Sequence, residues 1–196
     1  ANRIQASELQ DKGVLANCHV NVLQTQDHPQ FKTYGEELKW LTTDTTRMTW
    51  VAKTIEDIAT SGNTLILVDR ISAGEILEKN IKDAVFVSGS TKNTDRKEQY
   101  DEISTATNKV IIATYGVAAV GINIPRIFNL VLIEPGKSFV RVIQSIGRGI
   151  RKAEDKDSVQ IWDITSSCKF AKRHLGARKK FYKEANYPYN IEKIDY

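Results

Sequence analysis

Short apolar runs alternate with amphipathic segments through most of the chain. Each run is rich in valine and isoleucine and stays apolar at successive positions, as buried parallel strands do. Segments with helical spacing of apolar residues separate most of the runs, near residues 72–80, 94–106 and 138–146. We therefore predict an α/β fold, a doubly wound parallel sheet flanked by helices. The predicted strands are Leu65–Val68, Ala84–Val87, Val110–Ala113, Leu130–Ile133 and Val159–Ile164.

Helical periodicity also marks both ends of this pattern. Residues 34–62 are predicted to be helical, with Asp44 or Thr45 as the N-cap, because apolar residues recur there at helical spacing. A strand is predicted near Val20–Leu23, within an otherwise polar and irregular start. The last helix is predicted from about Ser166 to Ala185, and the side chains expected on its shared face are Phe170, His174, Ala177 and Phe181.

The bulk composition is that of an ordinary globular protein, with 41% hydrophobic and 27% charged residues. No apolar run approaches the ~18 residues of a membrane helix and no signal peptide opens the chain, so we expect an intracellular, cytoplasmic protein without a membrane partner. Cys18 and Cys168 stand far apart in no metal-ligand spacing, so we expect two buried thiols and no metal site.

The positive charge of the chain is concentrated in one third of it. Residues 137–183 hold 13 Lys/Arg and 4 Asp/Glu, a net charge of +9, whereas the remainder has a net charge of −5. This distribution indicates a polyanionic partner or, equally, a solvated helix face with scattered lysines.

Ligands of parallel sheets bind at the carboxyl ends of the strands, so the residues after each run are the candidate site. Asp69 follows the first run and is predicted to cap the next helix. Ser88 and Gly89 follow the second run, where small residues let backbone N–H groups approach a phosphate, with a plain turn as the alternative. The EPGKS segment at 134–138 is not a P-loop, because Val131 stands where that motif needs glycine.

A longer segment rich in small residues follows the third run, at 114–125. Thr114 offers a hydroxyl at the strand end, and Tyr115 offers a ring on which a base or sugar would stack. Asn123 adds a polar side chain close to Gly121. Small residues permit close approach by a ligand backbone, so we interpret this segment as a binding loop, with a small-residue helix packed on the sheet as the alternative.

The strongest motif is QSIGRGIR, at residues 144–151. Arg148 and Arg151 are three positions apart and therefore lie on the same side of a helix or helix end. Arginine is permanently charged and binds phosphate through two parallel hydrogen bonds. Together with Gln144 and Gly147, the pair indicates a site for a γ-phosphate that a different lobe holds.

Four of these segments, in this order, resemble the second RecA-like domain of superfamily 2 helicases. TLILVDRISAGEIL resembles motif IV and VSGSTKNTDR the nucleic-acid-contacting segment after it, while VIIATYGVAAVGINIP resembles motif V and QSIGRGIR motif VI. The flanks KTYGEELKWL and HLGARKKFYKEANYPYNIEKID are similar to those of phage recombination helicases. Motif V ends in Gly-Ile-Asn where DEAD-box RNA helicases have Gly-Ile-Asp, which argues against that subgroup.

The resemblance implies a role for each matched residue in an ATP-driven translocase on branched DNA. It implies regression of forks, migration of junctions and removal of RNA–DNA hybrids, with ATP and Mg²⁺ held mainly by a first motor domain. The residues it implies are Arg148 and Arg151 as arginine fingers, Gln144 as their coupling partner, Gly121 and Asn123 at the nucleotide, and Ser88, Gly89, Thr114 and Tyr115 at single-stranded or branched DNA.

No GxxxxGK[ST] motif and no DExx box occurs in the sequence, so we expect the first motor domain to lie upstream. Met48 is the single methionine, which agrees with a piece of a longer protein. We therefore predict a connector at 1–33 and the second RecA-like domain at 34–196. The alternatives are a non-enzymatic nucleic-acid-binding α/β module and a self-sufficient NTPase that uses Gly136, Lys137 and Ser138.

Overall fold

The computed structural model describes residues 17–87, 108–119, 127–136, 139, 142–143 and 158–196. The strands of this part are β1 (Asn17–Thr25), β2 (Thr64–Val68), β3 (Val85–Val87), β4 (Val110–Thr114), β5 (Asn129–Ile133), β6 (Ser158–Ser166) and β7 (Tyr189–Ile194). They form one sheet in the order β3-β4-β2-β5-β6-β1-β7, and every pairing is parallel. The predicted doubly wound parallel sheet is confirmed.

Helices cover both faces of this sheet. The helices of the described residues are α1 (Tyr34–Thr43), α2 (Thr45–Ala59), α3 (Ile71–Asn80), α4 (Tyr115–Ala119) and α5 (Lys169–Glu184). Side chains alternate along each strand, so β2 sends Leu65 and Leu67 to one face and Ile66 and Val68 to the other. The first face packs against α4, α5 and Phe139, and the second against α2 and α3.

The predicted helix at 34–62 is two helices, because the chain turns at Asp44. The backbone of Asp44 is extended, and its carboxylate accepts a hydrogen bond of 3.0 Å from the backbone N–H of Arg47. Asp44 thus caps α2 as predicted. Thr33 caps α1 through the backbone N–H of Glu36. The predicted helix at 94–106 lies outside the described residues.

The sheet extends beyond the predicted elements at both ends. β1 contains the predicted strand Val20–Leu23 and lies between β6 and β7, so the sheet begins before the predicted boundary at residue 33. The sequence did not predict β7, because this strand lies at the sheet edge and its residues are half-buried or exposed, without a buried apolar run. Residues 1–16 lie outside the described part of the chain.

The predicted inward face of the last helix was wrong by one position. The buried residues of α5 are Ala171, Leu175, Arg178 and Tyr182, whereas Ala177 is exposed. Arg178 interrupts the apolar stripe in the sequence, and Asp163 of β6 compensates its charge inside the protein. Both cysteines are buried and unpaired, as predicted. Among the described residues, no helix is long and apolar enough to cross a membrane.

Candidate functional site

The carboxyl ends of the central strands meet at one edge of the sheet. Val87, the last residue of β3, pairs with Ala113 of β4, and Thr114 of β4 pairs with Val68 of β2. β5 lies on the other side of β2. The strand ends from which segments 88–90 and 114–125 continue are therefore neighbours.

Thr114 is half-buried at the end of β4, where its side chain starts α4. Its Oγ1 accepts a hydrogen bond of 3.2 Å from the backbone N–H of Val117. No described residue accepts the hydrogen of this hydroxyl. Thr114 thus has a structural contact and a donor left for another acceptor at the sheet edge.

Tyr115 extends across the end of β2 to β5. Its hydroxyl donates a hydrogen bond of 2.9 Å to the backbone carbonyl of Ile133, and its ring packs against the core. Burial raises the pKa of Tyr115 well above its ordinary value, and the negative charge of Asp163 raises it further. The phenol therefore stays protonated and joins the ends of β4 and β5; its predicted stacking on a base stays a prediction.

A cleft of about 460 Å³ opens at this edge. Its walls come from the ends of β2, β4 and β5 and from the helices α1 and α5. The ring of His174 in α5 meets that of Tyr34 in α1 edge-on at 4.8 Å. The residues that line it are Tyr34, Asp69, Tyr115, Glu134, Pro135, Gly136 and His174. The cleft is thus lined by two carboxylates and by aromatic rings. Tyr115 is the predicted site residue found among the described lining residues.

Asp69 does not cap the helix after β2, contrary to the prediction. The N-cap of α3 is Arg70, and no side chain caps the helix there. Asp69 is instead exposed, lines the cleft and lies 3.7 Å from the guanidinium of Arg70. An exposed pair at this distance adds little to stability.

Glu134 is a functional candidate that the sequence did not predict. It follows β5, is 6% exposed and has a positive φ of 45°, a conformation that side chains other than glycine rarely adopt. Its carboxylate accepts hydrogen bonds from Arg47 at 2.9 Å and from the Thr165 hydroxyl at 3.1 Å. Burial raises the pKa of Glu134 to about 7, although Arg47 and Arg178 oppose the shift.

Arg47 connects Glu134 to the strand ends on the other side. It is fully buried, and its guanidinium also donates to the Thr25 hydroxyl and the Thr165 carbonyl. Its Nε lies 3.6 Å from Asp27. One cation thus joins α2 to the carboxyl ends of β1, β5 and β6. The signal in the sequence is a charge within the apolar stripe of α2.

Arg178 holds the same turn from the opposite face of the sheet. Its Nε and Nη2 donate to the two carboxylate oxygens of Asp163 at 2.7 and 2.9 Å, and its Nη1 donates to the Gly136 carbonyl at 3.4 Å. The Tyr182 hydroxyl also donates to Asp163 at 2.8 Å. Burial alone would lower the pKa of Arg178, but the negative charge and the hydrogen bonds of Asp163 together oppose this effect, and the pKa is raised overall. Arg178 is therefore unavailable to phosphates, although it lies within the basic segment 137–183.

The segment after β5 is thus a turn fixed by two buried arginines. Gly136 adopts a left-handed φ of 66°, and only Glu134 and Pro135 separate it from β5. Two residues between β5 and Gly136 are too few to wrap a phosphate, which agrees with the rejection of a P-loop.

Seven of the predicted site residues lie outside the described part of the chain. They are Ser88, Gly89, Gly121, Asn123, Gln144, Arg148 and Arg151. Their predicted roles therefore stay predictions. Among the described residues, the carboxylates that line the cleft are Asp69 and Glu134.

The fold and the motifs define a class of protein. Residues 46–153, more than half of the chain, match the family described as the helicase conserved C-terminal domain. The chain belongs to this family. The superfamily 2 resemblance of the four motifs is thereby confirmed.

Two viral proteins are similar in sequence. The ATP-dependent DNA helicase UvsW of Enterobacteria phage T4 is 29% identical over 189 residues, which cover 91% of this chain and 38% of the relative. Putative helicase 22 of Sulfolobus islandicus filamentous virus is 34% identical over 104 residues, 51% of this chain and 18% of the relative. The chain therefore spans less than half the length of either relative.

Solved structures show the same fold. The crystal structure of T4 UvsW matches with a TM-score of 0.79 at 22% identity, covering 91% of this chain and 42% of that chain. The C-terminal domain of the DEAD-box protein Dbp5 matches with a TM-score of 0.59 at 18% identity and covers 92% of both chains. The sheet described above is thus the RecA-like sheet of helicase C-terminal domains.

Proposed function

We propose that the chain is the second motor domain of an ATP-dependent DNA helicase that acts on branched DNA. In this proposal Arg148 and Arg151 are arginine fingers, and Gln144 couples them to the nucleic acid. Gly121 and Asn123 face the nucleotide. ATP and Mg²⁺ are held mainly by a first motor domain, which faces this one in the complete protein. The similarity to an ATP-dependent DNA helicase over 91% of the chain supports the substrate class.

The observation that carries the proposal is the arrangement of the strand ends. β3, β4, β2 and β5 are consecutive in the sheet, and all four end at the same edge. The segments that begin at Ser88, Tyr115 and Glu134 therefore start from neighbouring strand ends at one edge, where ligands of parallel sheets bind. The Thr114 hydroxyl at this edge has a hydrogen available for a phosphate oxygen, which supports its contact with the nucleic-acid backbone.

The turn after β5 supports the role of the arginines. Arg47 and Arg178 fix Glu134 and Gly136 from opposite faces of the sheet, so the turn that precedes motif VI in the sequence is held in place. An arginine finger contributes only when it is positioned before the transition state forms. A fixed turn after β5 agrees with that requirement.

A change of Arg148 in the complete protein tests the proposal. Arg148→Ala is expected to lower DNA-stimulated ATP hydrolysis by roughly 10³-fold or more, because the charge that develops on the γ-phosphate loses its partner. DNA binding is expected to persist. Lys53→Ala is the control, since Lys53 is an exposed cation of α2. Near-normal hydrolysis in Arg148→Ala would refute the finger role.

A non-enzymatic DNA-binding module is the alternative function, favoured by the net charge of +9 at 137–183. It requires tight, salt-sensitive DNA binding by this chain alone. The motor proposal requires weak binding by this chain alone and tight binding by the complete protein. Titration of a fluorescent forked DNA with each form separates the two functions.

A further inference from the structure

The exposed side of α5 carries positive charge almost exclusively. Its exposed cations are Lys169, Lys172, Arg173, Lys180 and Lys183. The single acid of the helix is Glu184, in its last position, and it is half-buried. By contrast, α2 exposes Lys53 together with Glu56 and Asp57, the mixture of signs that is typical of a solvated helix.

The five cations form one continuous surface, which we call the α5 basic face. At 3.6 residues per turn their positions fall within an arc of about 100°, and at 1.5 Å per residue they span about 21 Å. Within the described ranges, none of the five forms an ion pair. The buried cation of the same helix, Arg178, has Asp163 as its partner.

Local stability explains these charges only in part: Lys169 and Arg173 lie 5.3 and 5.5 Å from the ring centroid of Phe170, and the other three cations have no such contact among the described residues. Cations in the first turn of a helix oppose its dipole, yet α5 has Lys169 and Lys172 there and no acid. Lys169 and Arg173 are like charges four residues apart, which repel each other. The free N–H groups of Phe170 and Ala171 bind Glu37 of α1 instead. A surface that departs from the local rules in this way is typical of a functional site.

Gly176 lies in the middle of the α5 basic face. It is exposed, and Lys172 and Lys180 lie one turn before and after it. Glycine is the weakest helix former after proline, and nothing lies within 4 Å of the Cβ that a larger residue would place there. Packing against the described residues therefore does not require glycine, whereas close approach of an external backbone would.

We propose that the α5 basic face binds the phosphate backbone of DNA. The inference rests on the proposed function and adds a binding surface outside the four motifs. Two observations place it beside the motif edge: α5 begins where β6 ends, and Lys169 and Lys172 line a cleft of about 530 Å³ at the ends of β1 and β6. One charge per 3.4 Å of each DNA strand complements a row of exposed cations that have no carboxylate partner among the described residues.

The salt dependence of DNA binding tests the α5 basic face. The complete protein with Lys169→Ala, Lys172→Ala and Arg173→Ala is titrated with a forked DNA at several salt concentrations. The slope of log K against log salt is expected to fall in magnitude by about 2–3, roughly one for each phosphate that the variant no longer binds. The affinity at about 0.1 M salt is expected to fall at least tenfold.

The matched control removes the same charge from the opposite face of the sheet. Lys53→Ala, Lys79→Ala and Lys82→Ala change exposed residues in or just after α2 and α3. This variant is expected to keep a slope within about 0.5 of the wild-type value, because those residues do not contact phosphates. Equal losses in both triple variants would overturn the inference, since they would show a net-charge effect without a site.

A change of Gly176 distinguishes the effect of close approach by the DNA backbone from the effect of the positive charges. Gly176→Gln keeps every charge and favours the helix, so its thermal unfolding temperature is expected to equal or exceed that of the wild type. Its DNA affinity is expected to fall about 3–10-fold, because the side chain fills the space of the backbone. Unchanged affinity would overturn the role of Gly176.

The outcomes distinguish the inference from the function on which it rests. A wild-type protein without DNA-stimulated ATPase and without DNA binding would overturn both. Wild-type activity with an unchanged salt slope in the triple variant of α5 would overturn the α5 basic face alone and leave the helicase function intact.

Discussion

Positive charge in the interior of this domain differs from positive charge on its surface. Inside, Arg47 and Arg178 each contact at least one carboxylate and a backbone carbonyl, and together they fix the turn after β5. Outside, the five cations of the α5 basic face have no carboxylate partner among the described residues. The buried charges thus serve the geometry of the domain, and the exposed charges are left for a ligand.

The largest effect is expected from breaking the Arg178–Asp163 pair. Asp163→Ala leaves the guanidinium of Arg178 buried without its bidentate partner, and the free energy of unfolding is expected to fall by about 3–5 kcal/mol. Urea denaturation at pH 7 measures this loss.

The control for this prediction removes both charges. In Asp163→Leu with Arg178→Met, no buried charge remains unpaired, so most of the lost stability is expected to return. A loss below about 1 kcal/mol in Asp163→Ala would mean that Arg178 reaches solvent, and the contrast between interior and surface charge would fail.

The second prediction concerns the pH dependence of stability, which we expect from the carboxylate partner of Arg47. Arg47 faces Glu134, whose pKa of about 7 in the folded protein exceeds its ordinary value of 4.5. The folded state therefore holds a proton that the unfolded chain releases, so this stabilisation is complete below pH 4.5 and is lost as the pH rises through 7. Between these limits, the wild-type free energy of unfolding is expected to fall by about 2–3 kcal/mol relative to Glu134→Gln.

The matched control for the pH prediction is Glu56→Gln, which changes an exposed carboxylate of α2. Its unfolding free energy is expected to run parallel to that of the wild type across the same range. Urea denaturation at half-unit steps of pH compares the three proteins. Parallel curves for the wild type and Glu134→Gln would contradict the raised pKa and would place Glu134 in contact with solvent.

The sequence predicted the central strands that carry the site better than the buried contacts between their ends. The runs at 65–68, 110–113 and 130–133 were recognisable because central parallel strands are apolar on both faces. β7 was missed because an edge strand needs no such run. The pairing of Arg47 with Glu134 joins residues 87 positions apart, and no local pattern specifies which carboxylate a buried arginine contacts.

The inward face of α5 was predicted in the wrong register for the same reason. Its buried stripe contains Arg178, and a charged residue in a stripe usually indicates the solvent side. Asp163, the single charge within the apolar stretch of β6, was the available signal that an interior partner exists. A charge inside an apolar stripe of one element and an opposite charge inside another are together evidence for a buried pair.

The smallest effect is expected from substitutions of two glycines. They compare a position on the exposed face of α5 with a position in the interior. Gly176→Ala is expected to raise the free energy of unfolding by about 0.5–1 kcal/mol, because alanine favours the helix and the site is open. Gly74→Ala in α3 makes the same chemical change, but its Cβ would lie 2.5 Å from the ring of Phe86. That variant is expected to lose about 1–3 kcal/mol through overpacking. Urea denaturation of both variants gives opposite signs if α5 presents Gly176 to solvent; a loss in Gly176→Ala would show that the interior of this domain, rather than an external backbone, requires the glycine.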